Sequence, residues 1–218
     1  MIYCGVPVGG YQKITLTDWP GKLATTLFTA GCRWSCAYCY NRELSEGEFT
    51  KTVEELEQEL LALRHLGMTD GVVISGGEPT EHDGLVDLLI RLKYLGIPGV
   101  GLHTNGSRPH MLRRLLGARL INWVGIDVKC PASDYANLTG DPLAFVKLAD
   151  SVKILLSNNC PFEARSVVSD PEPDYLTSLQ ETAEELGLDK LTLRAELAEG
   201  GSISTLCRSQ VPAFYTLP

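Results

Sequence analysis

Three cysteines at short spacing are the residues with the clearest potential for chemistry. Cys32, Cys36 and Cys39 lie in the order C-x3-C-x2-C, directly after residues 23–30, an apolar run that suits a buried strand. Three thiolates on one short loop can reach three corners of a cubane, whereas a structural [4Fe–4S] cluster normally takes four cysteines. A cluster held by three leaves one iron with an open coordination position, which a catalytic metal requires. The spacing therefore predicts a redox-active [4Fe–4S] cluster that can bind a reactant.

A zinc site is the alternative for the same cysteines. Zinc could take a fourth ligand from elsewhere in the chain, for example His65 or a distant cysteine, although zinc loops more often contain paired C-x2-C motifs. Of the seven cysteines, the other four are scattered: Cys4, Cys130, Cys160 and Cys207. Buried, inert thiols are the default expectation for them. On this interpretation the chain would be a metal-binding structural or interaction module without catalysis.

A glycine-rich segment follows the second predicted strand, residues 71–75. It reads Gly76, Gly77, Glu78, Pro79. Two glycines allow the backbone to approach a ligand closely, and the Glu78 carboxylate can accept a hydrogen bond from an ammonium group. Taken alone, the segment could equally be a turn with a surface glutamate.

Polar side chains end the third predicted strand, residues 99–104. The sequence there is His103, Thr104, Asn105, Gly106. Thr104 and Asn105 can hydrogen-bond a ribose or an amino-acid head group. The alternative is an Asx-type turn closed by Gly106.

Charged residues mark the later strands. Asp127 and Lys129, near the end of residues 121–128, alternate to the same face, where they could form a binding site or a local ion pair. Arg165 lies inside residues 162–168 and Arg194 inside residues 191–197. A charge within an apolar strand is unfavourable in the core unless it is paired, so either arginine could bind a carboxylate or form a salt bridge.

The composition is that of a globular chain of 218 residues with 44% hydrophobic residues and a net charge of −8. The acidic balance argues against nonspecific nucleic-acid binding, which relies on basic surface. No apolar run approaches the roughly 20 residues of a membrane helix, and residues 1–10 lack a secretory pattern. We therefore expect a cytoplasmic protein that binds neither membrane nor nucleic acid. Clustered cysteines in a reducing compartment favour metal binding or redox chemistry over disulfides.

Strand-like and helix-like runs alternate along the chain. Helical patterns occupy residues 53–66, 85–95 and 109–116, and two more carry Phe145, Ala149, Val152 and Leu156, and Leu176, Leu179, Ala183 and Leu186. Six β/α units imply a parallel sheet, either doubly wound or a (β/α)6 partial TIM-type barrel. In both, ligands bind at the carboxyl ends of the strands, where the four best motifs lie. We expect one domain over residues 1–218, with its core at about 14–197 and an unassigned tail at 200–218.

The cysteine motif, with aromatic Tyr38 before its last cysteine, resembles that of the radical S-adenosylmethionine (SAM) superfamily, and residues 76–79 resemble the family's GGEP motif. The resemblance favours the barrel and implies that the open iron chelates the methionine moiety. The reduced cluster then breaks the S–C5′ bond to give a 5′-deoxyadenosyl radical, which abstracts a hydrogen atom. The cofactors, a [4Fe–4S] cluster and SAM, carry this chemistry, and the protein supplies position and a dry cavity.

The resemblance also implies a set of site residues. The metal ligands are Cys32, Cys36 and Cys39. The residues implied at the SAM site, with Tyr38 flanking the adenine, are Tyr38, Gly76, Gly77, Glu78, Thr104, Asn105, Asp127, Lys129 and Arg165.

Residues 13–22 resemble the lead-in of activating enzymes for glycyl radical proteins, best those for anaerobic ribonucleotide reductase, with pyruvate formate-lyase activases as close relatives. This implies hydrogen abstraction from a glycine Cα of a partner enzyme, with an electron donor such as flavodoxin or ferredoxin. Two positions depart: His103 replaces a frequent Asp, and Tyr40 replaces a frequent His. The alternative keeps the radical chemistry and changes the substrate to a small molecule, a peptide or an RNA base.

Overall fold

The computed structural model describes residues 1–36, 39, 51–168, 172–195 and 215–216. The predictions on Tyr38, on residues 196–197 and on most of the tail at 200–218 lie outside the described residues. Nine strands form one sheet in chain order. They are β1 (Ile2–Tyr3), β2 (Val6–Thr15), β3 (Ala24–Thr29), β4 (Gly71–Gly76), β5 (Val100–Thr104), β6 (Trp123–Asp127), β7 (Phe162–Val168), β8 (Leu191–Ala195) and β9 (Tyr215–Thr216).

The sheet is parallel from β3 onwards, and β1, β2 and β3 pair antiparallel. Strands β3 to β8 are the six predicted strands, each paired with the next in sequence. Sequential order is the order of a TIM-type barrel, whereas a doubly wound sheet reverses at a switch point. Among the described residues β1 and β9 do not pair with each other, so the barrel is unclosed. The predicted α/β class and partial (β/α)6 barrel are confirmed.

Within the described ranges six α-helices connect the strands, and five are the predicted ones. They are α1 (Val53–His65), α2 (Leu85–Tyr94), α3 (Pro109–Gly117), α4 (Tyr135–Thr139), α5 (Ala144–Leu156) and α6 (Pro173–Glu185). Helix α1 begins with a capping box, in which Glu55 N donates to Thr52 Oγ1 at 3.2 Å and Thr52 N donates to Glu55 Oε2 at 2.8 Å. None of the described helices is long and apolar enough to cross a membrane.

The core lies between the helices and the outer face of the barrel. Helix α1 buries Leu56, Leu60 and Leu63, and α2 buries Leu88, Leu89 and Leu92. Each such leucine contributes about 1.5–3 kcal/mol when fully removed from water. The prediction that Leu156 belongs to the apolar face of α5 is wrong. Leu156 is half exposed at the last turn of the helix, and Leu155 is buried in its place.

The amino-terminal hairpin was not predicted, and it closes the amino end of the barrel. The indole of Trp19, between β2 and β3, stacks on Trp123 with ring centroids 6.1 Å apart. Gly71, Gly99 and Gly101 leave room for it, because a Cβ on any of them would press against the Trp19 ring. The turn that carries Trp19 also places the backbone carbonyl of Asp18 inside the barrel, next to the polar His103 side chain.

Candidate functional site

A cavity of about 180 Å³ opens at the carboxyl ends of β3 to β7. Parallel strands end at the same rim, so motifs that are distant in sequence meet there. Eleven of the twelve predicted site residues line this cavity: Cys32, Cys36, Cys39, Gly76, Gly77, Glu78, Thr104, Asn105, Asp127, Lys129 and Arg165. The twelfth, Tyr38, lies outside the described residues.

The cysteine loop is held by contacts with two neighbouring segments, the turn after β4 and helix α4. Arg33 N donates to the Glu81 carboxylate at 3.1 Å, and Ser35 N donates to the Thr139 carbonyl at 3.4 Å. Trp34 meets the Tyr135 ring edge-on at 6.2 Å. Helix α4, a single short turn that sequence reasoning missed, therefore supports the loop between Cys32 and Cys36.

The cysteine thiols are enclosed to different degrees. Cys36 is buried, whereas Cys32 and Cys39 are exposed. Desolvation raises the pKa of Cys36; although Cys32 is exposed as a whole residue, desolvation of its sulfur raises the pKa of that thiol to about 12. Asn105 Nδ2 lies 3.7 Å from Cys32 Sγ as a donor. A metal binds thiolates, so loading this site would release protons.

The donor set and the space fit an iron–sulfur cluster with a small molecule beside it. Three sulfur donors face one cavity, and glycine backbone and charged side chains line the rest of its wall. Within the described ranges, no three His, Cys, Asp or Glu side chains group as ligands of a single metal ion. His65, the proposed zinc ligand, does not line this cavity and instead contacts Arg64.

Gly76 and Gly77 let the loop after β4 lie against the loop after β3. Gly76 has a φ of +113°, which L side chains rarely adopt, and a Cβ at Gly77 would overlap the Gly31 carbonyl oxygen. Gly77 N donates to Thr29 O at 2.8 Å, and Glu78 N donates to Gly31 O at 2.9 Å. The glycines thus position the segment next to Cys32.

Glu78 is fully buried and joins the loops after β4 and β5. Its Oε1 accepts from Thr80 N at 3.0 Å, from the Thr80 hydroxyl and from the Thr104 hydroxyl at 2.7 Å. Its Oε2 accepts from Asn105 N at 2.7 Å. Burial raises the pKa of Glu78, and these donors oppose that rise. A carboxylate has about four acceptor positions, so Oε2 retains capacity for one further donor.

A charge cluster lies on the wall of the cavity near the ends of β6 and β7, and it consists of Asp127, Lys129 and Arg165. Asp127 Oδ2 accepts from Lys129 Nζ at 2.9 Å, and Oδ1 accepts from Arg165 Nε. Burial alone would raise the pKa of Asp127, but the two cations lower it well below the ordinary value. Desolvation would lower the pKa of Lys129, and the Asp127 charge outweighs it and raises that pKa. The cluster carries one net positive charge.

His103 is a buried residue of this wall that sequence reasoning gave no role. Its Nδ1 lies 3.0 Å from Ser75 Oγ, and its Nε2 lies 2.7 Å from the Asp18 carbonyl, which can only accept. The tautomer protonated at Nε2 satisfies both of these contacts, but it leaves no lone pair on Nε2 for Arg165 Nη1, a donor that lies 3.0 Å away. Burial, reinforced by Arg165, holds the pKa of His103 well below its usual value, so the ring is neutral.

Arg194 does not line the cavity. Its Nη2 pairs with Glu163 Oε2 at 3.1 Å, and its Nη1 donates to the Thr17 carbonyl at 3.2 Å. Sequence reasoning also missed Ser75, Trp34 and Val167 in the cavity wall. Val167 could have been found, because it lies two positions after Arg165 and so shares its strand face.

The fold and the site agree with the comparison with known families. The model of the radical SAM superfamily matches residues 26–190, which is most of the chain. The chain belongs to the radical SAM superfamily. Members of this family use a [4Fe–4S] cluster and S-adenosylmethionine.

Curated relatives of the chain have several activities. A Methanocaldococcus jannaschii protein named "Putative glycyl-radical enzyme activating enzyme" is 35% identical over 130 residues, which are 59% of this chain and 52% of that protein. The 7-carboxy-7-deazaguanine synthase of Clostridium acetobutylicum is 28% identical over 139 residues, 63% of this chain and 62% of the enzyme. The chain thus spans between about half and two thirds of the length of these two relatives.

Solved structures support the fold. Native anSMEcpe with bound AdoMet aligns with a TM-score of 0.54 at 20% identity, over 75% of this chain and 48% of that one. Archaeal TYW1 aligns with a TM-score of 0.52 at 13% identity, over 79% of this chain and 64% of that one. At these identities the likeness concerns the fold alone.

Proposed function

We propose that this chain is an activating enzyme that generates a glycyl radical on a partner enzyme, anaerobic ribonucleotide reductase. The observation that carries the proposal is the similarity to glycyl-radical activating proteins, at 35% identity over 130 residues and, for a second M. jannaschii protein of that name, 33% over 104 residues. The lead-in at residues 13–22 points the same way. The reaction would take place in the cytoplasm, with a flavodoxin or ferredoxin as electron donor.

The roles of the site residues in this proposal follow from their contacts. Cys32, Cys36 and Cys39 hold the cluster, and the backbone at Gly76 and Gly77 borders the cofactor. The remaining acceptor position of Glu78 Oε2 suits the ammonium group of SAM. The two cofactors, when bound, supply the one-electron chemistry that removes a hydrogen atom from the substrate.

The charge cluster supplies the complementary group for the carboxylate of SAM. Lys129 and Arg165 are two cations paired with Asp127, and all three line the cavity. Thr104 and Asn105 sit between this cluster and the cysteine loop, and Asn105 Nδ2 reaches Cys32 Sγ. Tyr38 belongs to the proposal as a neighbour of the adenine. A single core domain at about 14–197 is sufficient for all of these roles.

The test is anaerobic reconstitution with iron and sulfide, followed by reaction with SAM, a reductant and an anaerobic ribonucleotide reductase. We expect about four irons per chain and a glycyl radical doublet in the electron paramagnetic resonance spectrum of the partner. Cys36→Ala should lose the iron and the doublet, whereas Cys160→Ala, a cysteine outside the cavity, should retain both.

Two results would contradict the proposal at different levels. A wild-type chain that takes up zinc and refuses iron would remove the cluster assignment. A chain that cleaves SAM to 5′-deoxyadenosine but produces no doublet with any candidate glycyl radical enzyme would remove the activase assignment and keep the family chemistry.

A small-molecule substrate is the second candidate function. The similarity to 7-carboxy-7-deazaguanine synthase supports it. This candidate predicts that a small polar metabolite, with no protein partner present, stimulates 5′-deoxyadenosine formation.

A further inference from the structure

A second cleft, of about 250 Å³, adjoins the cysteine cavity, and Trp34 lines both. The cysteine loop, the turn after β4 and the start of α3 line it, together with Asp141 before α5 and Lys147 within α5. Neither the cluster ligands nor the predicted SAM-binding residues line this cleft. The family chemistry and the proposed function therefore leave it unexplained.

Arg108 is the cation of this cleft that no carboxylate of the described residues balances. The carboxylate of Glu81 accepts from Arg33 N and lies 3.9 Å from Arg33 Nε, and Asp141 Oδ2 lies 2.6 Å from Lys147 Nζ. Both carboxylates of the cleft thus already have cationic partners. Within the part of the chain that the structure describes, Arg108 has no carboxylate at ion-pair distance.

Two buried donors of the cleft lack hydrogen-bond partners among the described residues. Ser107 is 6% exposed, and its hydroxyl is one of them; Arg108 Nε is the other. Buried polar groups are nearly always paired, and each exception requires an explanation such as an absent ligand. Adjacent residues with unused donors at one cleft indicate a ligand that accepts hydrogen bonds.

The amino terminus of α3 lies at the same cleft, beside Ser107 and Arg108. Arg108 precedes the helix without a side-chain cap, and Pro109 occupies its first turn. The helix has nine residues, so its first turn carries a partial positive charge that favours anions.

We propose that this cleft binds a phosphate group, either free or carried by a nucleotide. The guanidinium of Arg108 matches the oxygens of a phosphate as a fork, the Ser107 hydroxyl donates to it, and the start of α3 stabilises its charge. SAM contains no phosphate, so the ligand is a different molecule from the cofactor. It would bind beside the cysteine loop and leave the SAM site free.

The test is titration calorimetry on the reconstituted protein under anaerobic conditions with SAM at saturation. Inorganic phosphate and ATP are the two probes. We expect Arg108→Gln to weaken binding about tenfold and Ser107→Ala about threefold, the losses of a charged fork and of one hydrogen bond. Arg113→Gln is the matched control, because Arg113 is an exposed arginine of the same helix, and it should change the affinity less than about twofold.

Each outcome of the calorimetry either supports or contradicts phosphate binding at this cleft. Tighter binding of ATP than of phosphate, with the loss in Arg108→Gln, supports a nucleotide ligand, and equal binding with that loss supports free phosphate. No binding of either probe to the wild type overturns the proposal, as does equal weakening by Arg108→Gln and Arg113→Gln. Circular dichroism and iron content show that the variants are folded, and Arg108→Lys, which keeps the charge and loses the fork, should fall between wild type and Arg108→Gln.

Discussion

Asp127 and Arg165 are register partners on the neighbouring strands β6 and β7, and the Arg165 guanidinium donates through Nε to the Asp127 carboxylate. The pair stands at the rim of the cavity, with side chains 23% and 10% exposed. Lys129 donates to the second carboxylate oxygen. Asp127 therefore pairs with two cations that are largely removed from water, and this arrangement makes the wall sensitive to the loss of Asp127.

Replacing Asp127 by asparagine should destabilise the protein by about 3 kcal/mol, because removing one partner of a buried ion pair leaves charge uncompensated. Urea denaturation under anaerobic conditions measures this change. Asp141→Asn, at the more exposed pair with Lys147, is the control and should cost at most about 1 kcal/mol. Equal losses in the two variants would contradict the assignment of Asp127 as the stabilising anion of the cavity wall.

Glu78→Gln should lower stability by about 1–3 kcal/mol, because the amide NH₂ must face the Asn105 N–H or the Thr80 donors in a buried site. The affinity for SAM should fall with it, since the loops after β4 and β5 are joined through this carboxylate. Equilibrium unfolding and SAM titration measure the two effects. Glu181→Gln, an exposed position of α6, should change neither.

If Glu78→Gln weakened SAM binding without any loss of stability, the four protein hydrogen bonds to the carboxylate would carry no structural weight. Glu78 would then act on the cofactor alone.

The β/α units and the convergence of the motifs could be predicted from the sequence. Apolar residues such as Leu56, Leu60 and Leu63 repeat at helical spacing, and each chemical motif follows a strand-like run. In a parallel sheet these two facts bring Cys32 and Asp127 to one rim, although 95 positions separate them in the sequence. Local sequence patterns are therefore enough to predict that these site residues lie close together in the fold.

The partners of the site residues could not be predicted, because they depend on contacts between segments distant in sequence. Nothing near Glu78 indicates that Thr104 and Asn105 of the next β/α unit use its oxygens. The β2 strand contains Pro7 and two consecutive glycines and pairs irregularly with β3, so its sequence lacks a strand pattern. Helix α4 has five residues, too few for a periodic signal.

Gly77→Ala should separate the loops after β3 and β4, because the added Cβ would overlap the Gly31 carbonyl oxygen. Backbone cannot give way as a flexible side chain can, so we expect a loss of at least about 2 kcal/mol in stability and a reduced iron content after reconstitution. Gly117→Ala is the matched control: apart from its chain neighbours and its own helix backbone, no atom lies within 4 Å of its added Cβ, and in a helix alanine is favoured over glycine. Normal iron content and stability in Gly77→Ala would show that the close approach of the two loops is unnecessary.

The neutrality of buried His103 should make stability depend on pH. The folded pKa lies well below that of an unfolded histidine, about 6.5, so the unfolded state binds more protons as the pH falls below that value. The free energy of unfolding should therefore decrease from pH 7 to pH 5.5, with a contribution from this residue of at most about 1.4 kcal/mol per pH unit. His103→Gln should reduce that slope, whereas His65→Gln, at an exposed histidine of α1, should leave it as in the wild type. Urea denaturation at several pH values compares the three proteins, and identical slopes in wild type and His103→Gln would mean that His103 takes up its proton in the folded state.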